Sequence, residues 1–146
     1  MYRIELEMQN EALRQARAAL EESRDRYLDL YEFAPIAYLT IGNRGQITEI
    51  NLTGTALLGA ERGELLQRPF AVYVAPEDRN RWRRHLQHTL RHGGKQSCEL
   101  NLLHGNGGRF AACLECLRSA VGNVSPTLRV ALTDITERKQ AEQALQ

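Results

Sequence analysis

Three cysteines are the residues in this sequence whose chemistry is easiest to recognise. Cys113 and Cys116 form a C-x-x-C pair, which suits a metal or redox site when it lies on a turn or at a helix start. The residues around them read as a strand, however, and residues three apart on a strand point to opposite faces. With Cys98 the count is odd, so not all three can pair. We therefore interpret them as structural thiols in a reducing, cytoplasmic compartment.

Three histidines form a second candidate metal site. His85, His88 and His92 fall within about 60° of one another on a predicted helix, so they could hold zinc. No carboxylate or cysteine nearby completes the ligand set. The spacing also fits a partly solvated helix flank beside the apolar stripe, which is the interpretation we favour.

Motifs typical of enzymes and of nucleic-acid binding do not occur. The sequence contains neither a P-loop nor a nucleophile elbow, and the glycine-rich run at 105–108 lies between two predicted strands as a hairpin turn. The arginine-rich run at 79–84 spreads around a helix and follows acidic residues, which indicates a solvated face. We expect neither an enzyme nor a nucleic-acid-binding module.

Length and charge favour one domain with extensions. The chain has 146 residues, 42% of them hydrophobic, and a net charge of +1. No stretch approaches the ~18 consecutive apolar residues of a membrane span, so we expect this segment to make no membrane contact.

The first 33 residues predict a long helix that pairs with a second copy. Leu6, Leu13, Leu20 and Tyr27 recur at an interval of seven, the spacing of a coiled-coil seam. A strict repeat favours a parallel homodimer over a single amphipathic helix lying on its own domain, which is the alternative. Pro35 ends the helix, because the residue before a proline avoids the α region.

The remaining residues predict an α+β fold. Two strands, a helical insert and three further strands can close into one five-stranded antiparallel sheet, with the insert covering one face. The strands are expected at 36–41, 47–51, 96–103, 109–117 and 127–133, the insert helices at 52–58, 62–66 and 76–92, and the last connecting loop at 122–126.

The last strand runs almost directly into a terminal helix. Asp134 can cap this helix through its carboxylate, and Glu137 can reach back to the backbone N–H of the cap. A strand joined so closely to an exit helix predicts mechanical coupling between the sheet and that helix.

In this order and spacing, the motifs resemble a PAS domain. Asn51 followed by a short helix that ends in Leu57-Leu58-Gly59, the run Pro76-Glu77-Asp78-Arg79, and the Asp134-x-Thr136 junction match the pattern along 34–137. The N-terminal run Tyr27-x-x-Leu30-Tyr31 is similar to the helix before PAS modules of bacterial sensors. The domains implied are a helix at 1–33, a PAS domain at 34–135 and the start of a signalling helix at 136–146.

The resemblance implies a sensory or relay module of a bacterial sensor histidine kinase or cyclic-di-GMP signalling protein. Such a module senses a small molecule or cofactor between sheet and helices and acts through its flanking helices. The output domain, of histidine kinase or GGDEF type, would lie elsewhere in the parent chain, which would then be the enzyme. The alternative is a PAS domain without ligand that works as a dimerising relay.

The resemblance leaves the cofactor unknown. The light-sensing relatives need a cysteine in the insert, and none occurs between residues 52 and 95, whereas non-covalent flavin has no distinctive motif. In oxygen-sensing relatives, a histidine on the helix that corresponds to 76–92 ligates the haem iron. Alignment from the glycine end of that helix places Trp82, not a histidine, near the position expected for this ligand. His85 is then the best remaining candidate for the haem ligand.

Strand alternation and the insert together predict the lining of a ligand pocket, mostly apolar with few polar groups. The same residues could be core alone. The candidates are Tyr38, Asn51, Leu57, Phe70, Tyr73, Trp82, Leu86, Cys98, Leu100, Leu114 and Val130.

Overall fold

The computed structural model describes residues 2–120 and 125–145, so most of the loop expected at 122–126 lies outside the described residues, as do Met1 and Gln146. The chain divides into two compact units, Met1–Phe33 and Ala34–Gln146. The helices are α1 (Tyr2–Glu32), α2 (Leu52–Leu58), α3 (Arg62–Leu65), α4 (Arg79–His92) and α5 (Thr136–Ala144), and the strands are β1 (Ala37–Ile41), β2 (Ile47–Ile50), β3 (Lys95–Leu103), β4 (Arg109–Ser119) and β5 (Thr127–Asp134).

The first unit is the single helix α1. Its 31 residues make it about 46 Å long, at about 1.5 Å per residue. The seam residues Leu6, Leu13, Leu20 and Tyr27 are all exposed, by 45–70%. Most of the helix is polar, and Ile4, Met8, Leu28 and Leu30 are further exposed apolar residues on it. Within the described part of the chain, no helix is long and apolar enough to cross a membrane.

The second unit contains the predicted five-stranded antiparallel sheet, in the spatial order β2-β1-β5-β4-β3. Alternate residues face inward: Leu39 pairs with Val130, Leu132 with Leu114, and Leu114 with Cys98, and all of these are buried except Cys98, which is half-buried. This alternation reproduces the apolar–polar pattern of the sequence and confirms the α+β prediction.

The insert between β2 and β3 covers the inner face. Two short 3₁₀ turns, Phe70–Tyr73 and Pro76–Asp78, connect α3 to α4 where the sequence predicted an irregular segment and a helix start. The ring of Phe70 meets that of Trp82 edge-on at 4.9 Å between centroids, a favourable aromatic geometry. Both side chains are buried, so aromatic packing holds α4 against the rest of the core.

The exposed edge of β3 is partly covered by the start of α4. Asp78 accepts hydrogen bonds from the backbone N–H of Asn101 at 2.8 Å and from its side-chain amide at 3.2 Å, and the Ala75 N–H donates to the Asn101 carbonyl at 2.8 Å. Asp78 is only 8% exposed. A carboxylate thus satisfies an edge N–H that would otherwise lack a partner.

Asn51 ties the first hairpin to α2. Its Oδ1 accepts from the backbone N–H groups of Gly54 and Tyr38, both at 2.9 Å, and its Nδ2 donates to the Ile36 carbonyl at 3.0 Å. One buried amide therefore caps α2 and fixes the start of β1. Gly59, with a left-handed φ of 69°, ends α2 as predicted.

Replacing Asn51 by alanine should lower the free energy of unfolding by about 2 kcal/mol, because a helix cap is lost and buried backbone groups lose their partner. Urea denaturation measures the change. Asn106→Ala is the matched control, since Asn106 also accepts a backbone hydrogen bond, from Gly108 at 2.9 Å, but is exposed. Equal losses in the two variants would contradict a special role for the buried amide.

Candidate functional site

The joint between β5 and α5 is built on the backbone of Ala111 in β4. The Ile135 N–H donates to the Ala111 carbonyl at 2.8 Å, and the Ala111 N–H donates to Oγ1 of Thr136 at 3.0 Å. A threonine side chain therefore takes the place of a backbone carbonyl and extends the β4–β5 pairing into the first residue of the helix. Ile135 is 6% exposed, which anchors the joint in the core.

Asp134 holds this threonine in place. Its Oδ1 accepts from the Thr136 backbone N–H at 2.9 Å and from the Thr136 hydroxyl at 2.6 Å. The carboxylate thus bonds to the first turn, but Asp134 is the last strand residue and Ile135 flanks the helix. Glu137 is exposed and makes no bond to Asp134 within residues 2–120 and 125–145. The expected capping box is therefore wrong. The Asp134 carboxylate accepts both of its hydrogen bonds from Thr136, and none of the described hydrogen bonds uses the side chain of Glu137.

A second contact fastens α5 to the sheet. Glu99, on the edge strand β3, pairs through its two carboxylate oxygens with Arg138 at 2.7 Å and Lys139 at 2.6 Å. The hydrogen bond from Lys139 holds the pKa of Glu99 below its usual range; burial opposes this effect, and the positive charges of Lys139 and Arg138 add to it. The sequence analysis missed Glu99, because nothing local indicates that β3 and α5 meet.

A groove of ≈ 610 Å³ lies where α4, β3, β4 and α5 meet. Charged side chains that line it include Asp78, Glu99 and Lys139, and at its inner end it reaches Leu100 of the core. Most of these charges have partners within the protein. The groove is thus a polar surface continuous with the joint.

An exposed ion pair borders the same groove. Glu77 and Arg109 form two hydrogen bonds, at 2.6 and 2.8 Å. The hydrogen bond from Arg109 lowers the pKa of Glu77, and the same bond raises the pKa of Arg109. Bidentate geometry fixes the hairpin β3–β4 relative to the start of α4.

The contact of Glu99 with α5 predicts a pH-dependent joint. Because the folded-state pKa of Glu99 is lowered, its stabilising effect is present above the ordinary carboxyl pKa of about 4 and is lost as the pH falls through the folded-state pKa. Amide hydrogen exchange of α5 should therefore accelerate relative to the sheet at low pH. In Glu99→Gln, amide exchange in α5 should be fast relative to exchange in the sheet at every pH.

The matched control for this experiment is Glu115→Gln. Glu115 is an exposed strand carboxylate that pairs with Lys95 at 3.7 Å and touches no residue of α5 through a described ion pair or hydrogen bond. It should leave the exchange of α5 and its pH dependence unchanged. A Glu99→Gln profile identical to that of the control would refute the contact.

Most of the predicted pocket residues meet in the sheet–helix interior, where they form one packed core cluster. Asn51 is also buried there, but its amide bonds the backbone described above. The residues that the core brings together are Phe70, Tyr73, Trp82, Leu86, Leu100, Leu114 and Val130, with Leu57 and Cys98 packed at its margin.

Tyr38 does not belong to this interior. It alternates with the buried Ala37 and Leu39 on β1, and its side chain is 37% exposed on the opposite face of the sheet. Its assignment to the pocket was wrong, because the register of β1 points even-numbered residues outward.

A mostly apolar cavity of ≈ 430 Å³ lies beside the ends of β1 and β5, against α2. Ile36, Ala56, Leu57 and Leu132 are among the residues that line it, and Asp134 stands at its rim. Leu57 is thus a predicted pocket residue that borders a cavity. The cavity adjoins the joint rather than the centre of the core.

The three histidines on α4 do not act as one group. His88 and His92 are exposed, with ring centroids 4.6 Å apart, whereas His85 is half-buried and its Nε2 is buried without a hydrogen-bond partner. Burial lowers the pKa of His85, and the charge of His88 lowers it further. Among the described residues, no group of three or more His, Cys, Asp or Glu side chains is arranged to hold a metal ion.

His85 is also the residue that the sequence analysis considered for haem. Its Nε2 points into the protein, but the ring lies beside Trp82, at 6.2 Å between centroids, and neither the groove nor the apolar cavity borders it. Trp82 and Leu86, on the same helix, belong to the packed core cluster. The groove and the apolar cavity therefore offer no space for a porphyrin at His85.

Thr89 is a buried polar residue that the sequence analysis did not identify. It is 0% exposed, and its Oγ1 has no hydrogen-bond partner among residues 2–120 and 125–145. An unsatisfied buried hydroxyl costs about 1–3 kcal/mol. Its helical position, seven residues after Trp82, was the signal that could have placed it on the buried face.

The cysteines lie on strands, as predicted, and all three are free thiols. Cys116 is fully buried, and burial raises its pKa to about 12. Burial also raises the pKa of Cys98. Cys113 faces the other side of β4, where its Sγ lies 3.6 Å from Oγ of Ser97. Since thiolates are the reactive species, the two inward thiols are poor nucleophiles.

Comparison with known proteins identifies the fold. No family model and no curated protein matches the sequence. Among solved structures, a PAS domain of an HTR-like protein from Haloarcula marismortui is similar with a TM-score of 0.74 at 20% identity, over 84% of this chain and 99% of that one. A domain of a sensory box sensor histidine kinase/response regulator from Geobacter sulfurreducens is similar with a TM-score of 0.62 at 19% identity, over 77% of this chain and 95% of that one.

The chain has the PAS fold. A third structure, the Drosophila melanogaster Cycle PAS-B domain with bound ethylene glycol, is similar with a TM-score of 0.62 at 13% identity, over 67% of this chain and 98% of that one. The matched domains come from proteins of different kinds, so what they share is the PAS architecture.

Proposed function

We propose that this PAS domain is a sensory and relay module of a bacterial signalling protein, in which the sheet acts on α5 through the joint. The observation that carries the proposal is that the backbone of Ala111 accepts a hydrogen bond from the Ile135 N–H and donates one to Oγ1 of Thr136. Glu99 adds a second link between β3 and the same helix. A change in the position of β4 or β3 would therefore move the start of α5.

The proposed output is a domain of the same parent chain, of histidine kinase or GGDEF type, that α5 would lead into. The sensor histidine kinase among the similar structures supports the first type. The segment itself would take no catalytic part, and its free cysteines fit a reducing cytoplasmic location.

The proposed input is a small molecule held between the sheet and α4. Support comes from the two buried polar atoms on α4 that lack a protein partner and from the bound ethylene glycol of the Cycle PAS-B structure. The second candidate function is a relay without ligand, which the close packing of Phe70 on Trp82 favours. Mass spectrometry of small molecules released from purified protein distinguishes the two.

Thr136→Val should uncouple the sheet from α5. The substitution keeps the shape of the side chain but removes the hydroxyl that accepts from Ala111 and donates to Asp134. We expect a loss of about 1–2 kcal/mol in the free energy of unfolding, faster amide exchange in α5, and loss of input-dependent output in the parent protein.

Thr133→Val is the control for that experiment. Thr133 is exposed on the outer face of β5, three residues before Thr136, and none of the described hydrogen bonds uses its side chain. Its substitution should leave output intact. Normal regulation of output in Thr136→Val would show that the signal leaves by another route.

We further propose that α1 forms a parallel coiled coil with a second copy. The exposed seam of Leu6, Leu13, Leu20 and Tyr27 supports this, because an isolated polar helix of this length gains stability chiefly by covering such a stripe. Leu13→Asp with Leu20→Asp should convert a dimer to a monomer in light scattering.

The control for the dimer experiment places the same charges away from the seam. Gln15→Asp with Ala18→Asp adds two carboxylates on the outer side of the helix and should leave the dimer intact. A mass that is unchanged by the seam substitutions would remove the coiled coil.

A further inference from the structure

Strand β3 lies at one edge of the sheet, and part of its backbone there is unpaired. Asn101 shows which backbone groups point outward, because its N–H and C=O bond to the insert and not to β4. Outward groups recur at every second residue of an antiparallel strand, so those of Lys95, Ser97 and Glu99 point the same way. Among the described hydrogen bonds outside the strand ladders, none uses the backbone of these three residues.

The described protein leaves space beside this edge. Lys95 and Ser97 are exposed, and Glu99 is half-buried. The groove between α4 and α5 borders the strand at Glu99 and Asn101. An unpaired strand edge is a template on which another extended segment can form main-chain hydrogen bonds.

The side chains along this edge complement a second copy of themselves. Lys95, Ser97 and Glu99 share the outer face of the sheet, because residues two apart on a strand point to the same side. When two such strands run antiparallel about a two-fold axis at Ser97, Lys95 stands opposite the partner's Glu99. The same axis places Glu99 opposite the partner's Lys95. Opposite charges directly across a strand pair are favourable, whereas like charges are unfavourable.

This register uses the whole unpaired edge. Each of the three outward residues joins a hydrogen-bonded pair, which gives about six backbone hydrogen bonds in all. A two-fold axis at Lys95 would oppose two ammonium groups, and an axis at Glu99 would oppose two carboxylates. An axis at Gln96 or Cys98 would leave one of the outward residues without a partner.

The charged residues of the edge can bind a partner in addition to their present contacts. Lys95 pairs with Glu115 at 3.7 Å, and both side chains are more than half exposed, so solvent weakens that attraction. The carboxylate of Glu99 contacts Arg138 and Lys139. A carboxylate has about four acceptor positions, so a third cation can approach it.

We propose that residues 95–99 of β3 form a self-pairing edge, which binds the same edge of a second copy in antiparallel register about Ser97. Two five-stranded sheets would then become one continuous sheet. The inference goes beyond the relay function and does not rest on it, because it concerns the backbone and charges of β3 alone. It also places a cation of the partner beside Glu99, the residue that fastens α5.

Disulfide linkage of the whole chain tests the register. At the axis, residue 97 meets its own copy with Cα atoms about 5.5 Å apart, a separation that a disulfide spans. Under a mild oxidant, Ser97→Cys should form a covalent dimer about tenfold faster than Thr133→Cys, because a cysteine on β5 cannot meet its own copy through the β3 edge. Non-reducing electrophoresis measures the rates, and peptide mass spectrometry identifies the 97–97 bond.

Two features make the control specific. Both variants also carry Cys113→Ser, because Sγ of Cys113 lies 3.6 Å from Oγ of Ser97 and would compete for the new thiol within the chain. Thr133 is exposed on the outer face, as Ser97 is, and its substitution leaves the charges of the edge intact. Any pairing through α1 would bring the copies together equally in the two variants.

Charge substitutions in the Ser97→Cys chain test the complementarity. Lys95→Glu and Glu99→Lys each oppose like charges across the pair, so each alone should slow linkage about fivefold. A mixture of the two variants opposes unlike charges again and should restore linkage between one copy of each. Arg129→Glu makes the same change of sign on the exposed outer face of β5 and should leave linkage unchanged.

Linkage of Ser97→Cys no faster than that of Thr133→Cys, including no linkage of either, would overturn the proposal and leave the edge to solvent or to another partner. Equal slowing by Lys95→Glu and Arg129→Glu would also overturn it, as would a mixture that links no faster than its components. Linkage is measured without any output. Register-specific linkage combined with normal regulation in Thr136→Val would therefore refute the joint and leave the self-pairing edge standing.

Discussion

The hydrogen bonds of Ala111 are the constraint on which the joint between the sheet and α5 in this PAS fold depends. A buried backbone N–H and C=O must find partners, and here both partners come from the start of α5. The first residues of the helix are consequently a continuation of the β-ladder. β4 is in turn paired with β3 along the full length of β3, so the helix start and the central sheet cannot move independently without breaking these bonds.

The charged contacts around the joint have a different physical character. Glu99, Arg138 and Lys139 are all partly exposed, so solvent and salt weaken their attraction and they contribute little to overall stability. These ion pairs instead set the orientation of α5, because they fix which side of the helix faces β3. Strong backbone bonds position the helix start, and weaker ion pairs set its orientation.

A few polar side chains are buried in the core, where a missing hydrogen bond costs the most free energy. Asn51, Asp78 and Thr89 are the described polar residues that are buried, and the first two are bonded to backbone groups. Thr89 and the neighbouring His85 Nε2 are exceptions on α4.

The sequence by itself determined the elements, the strand faces and the fold class, because each of these follows from local periodicity. The alternation of Leu128, Val130 and Leu132 places them inward, and Gly59 ends α2 wherever the helix packs. The alternation of Ala37, Tyr38 and Leu39 along β1 likewise places Tyr38 outward. What only the tertiary structure decided are the contacts between elements distant in sequence: Thr136 with Ala111, Glu99 with Lys139, and the absence of a protein partner for Thr89. Such contacts depend on strand order and helix placement, and no local pattern of residues specifies which side chain will stand opposite another.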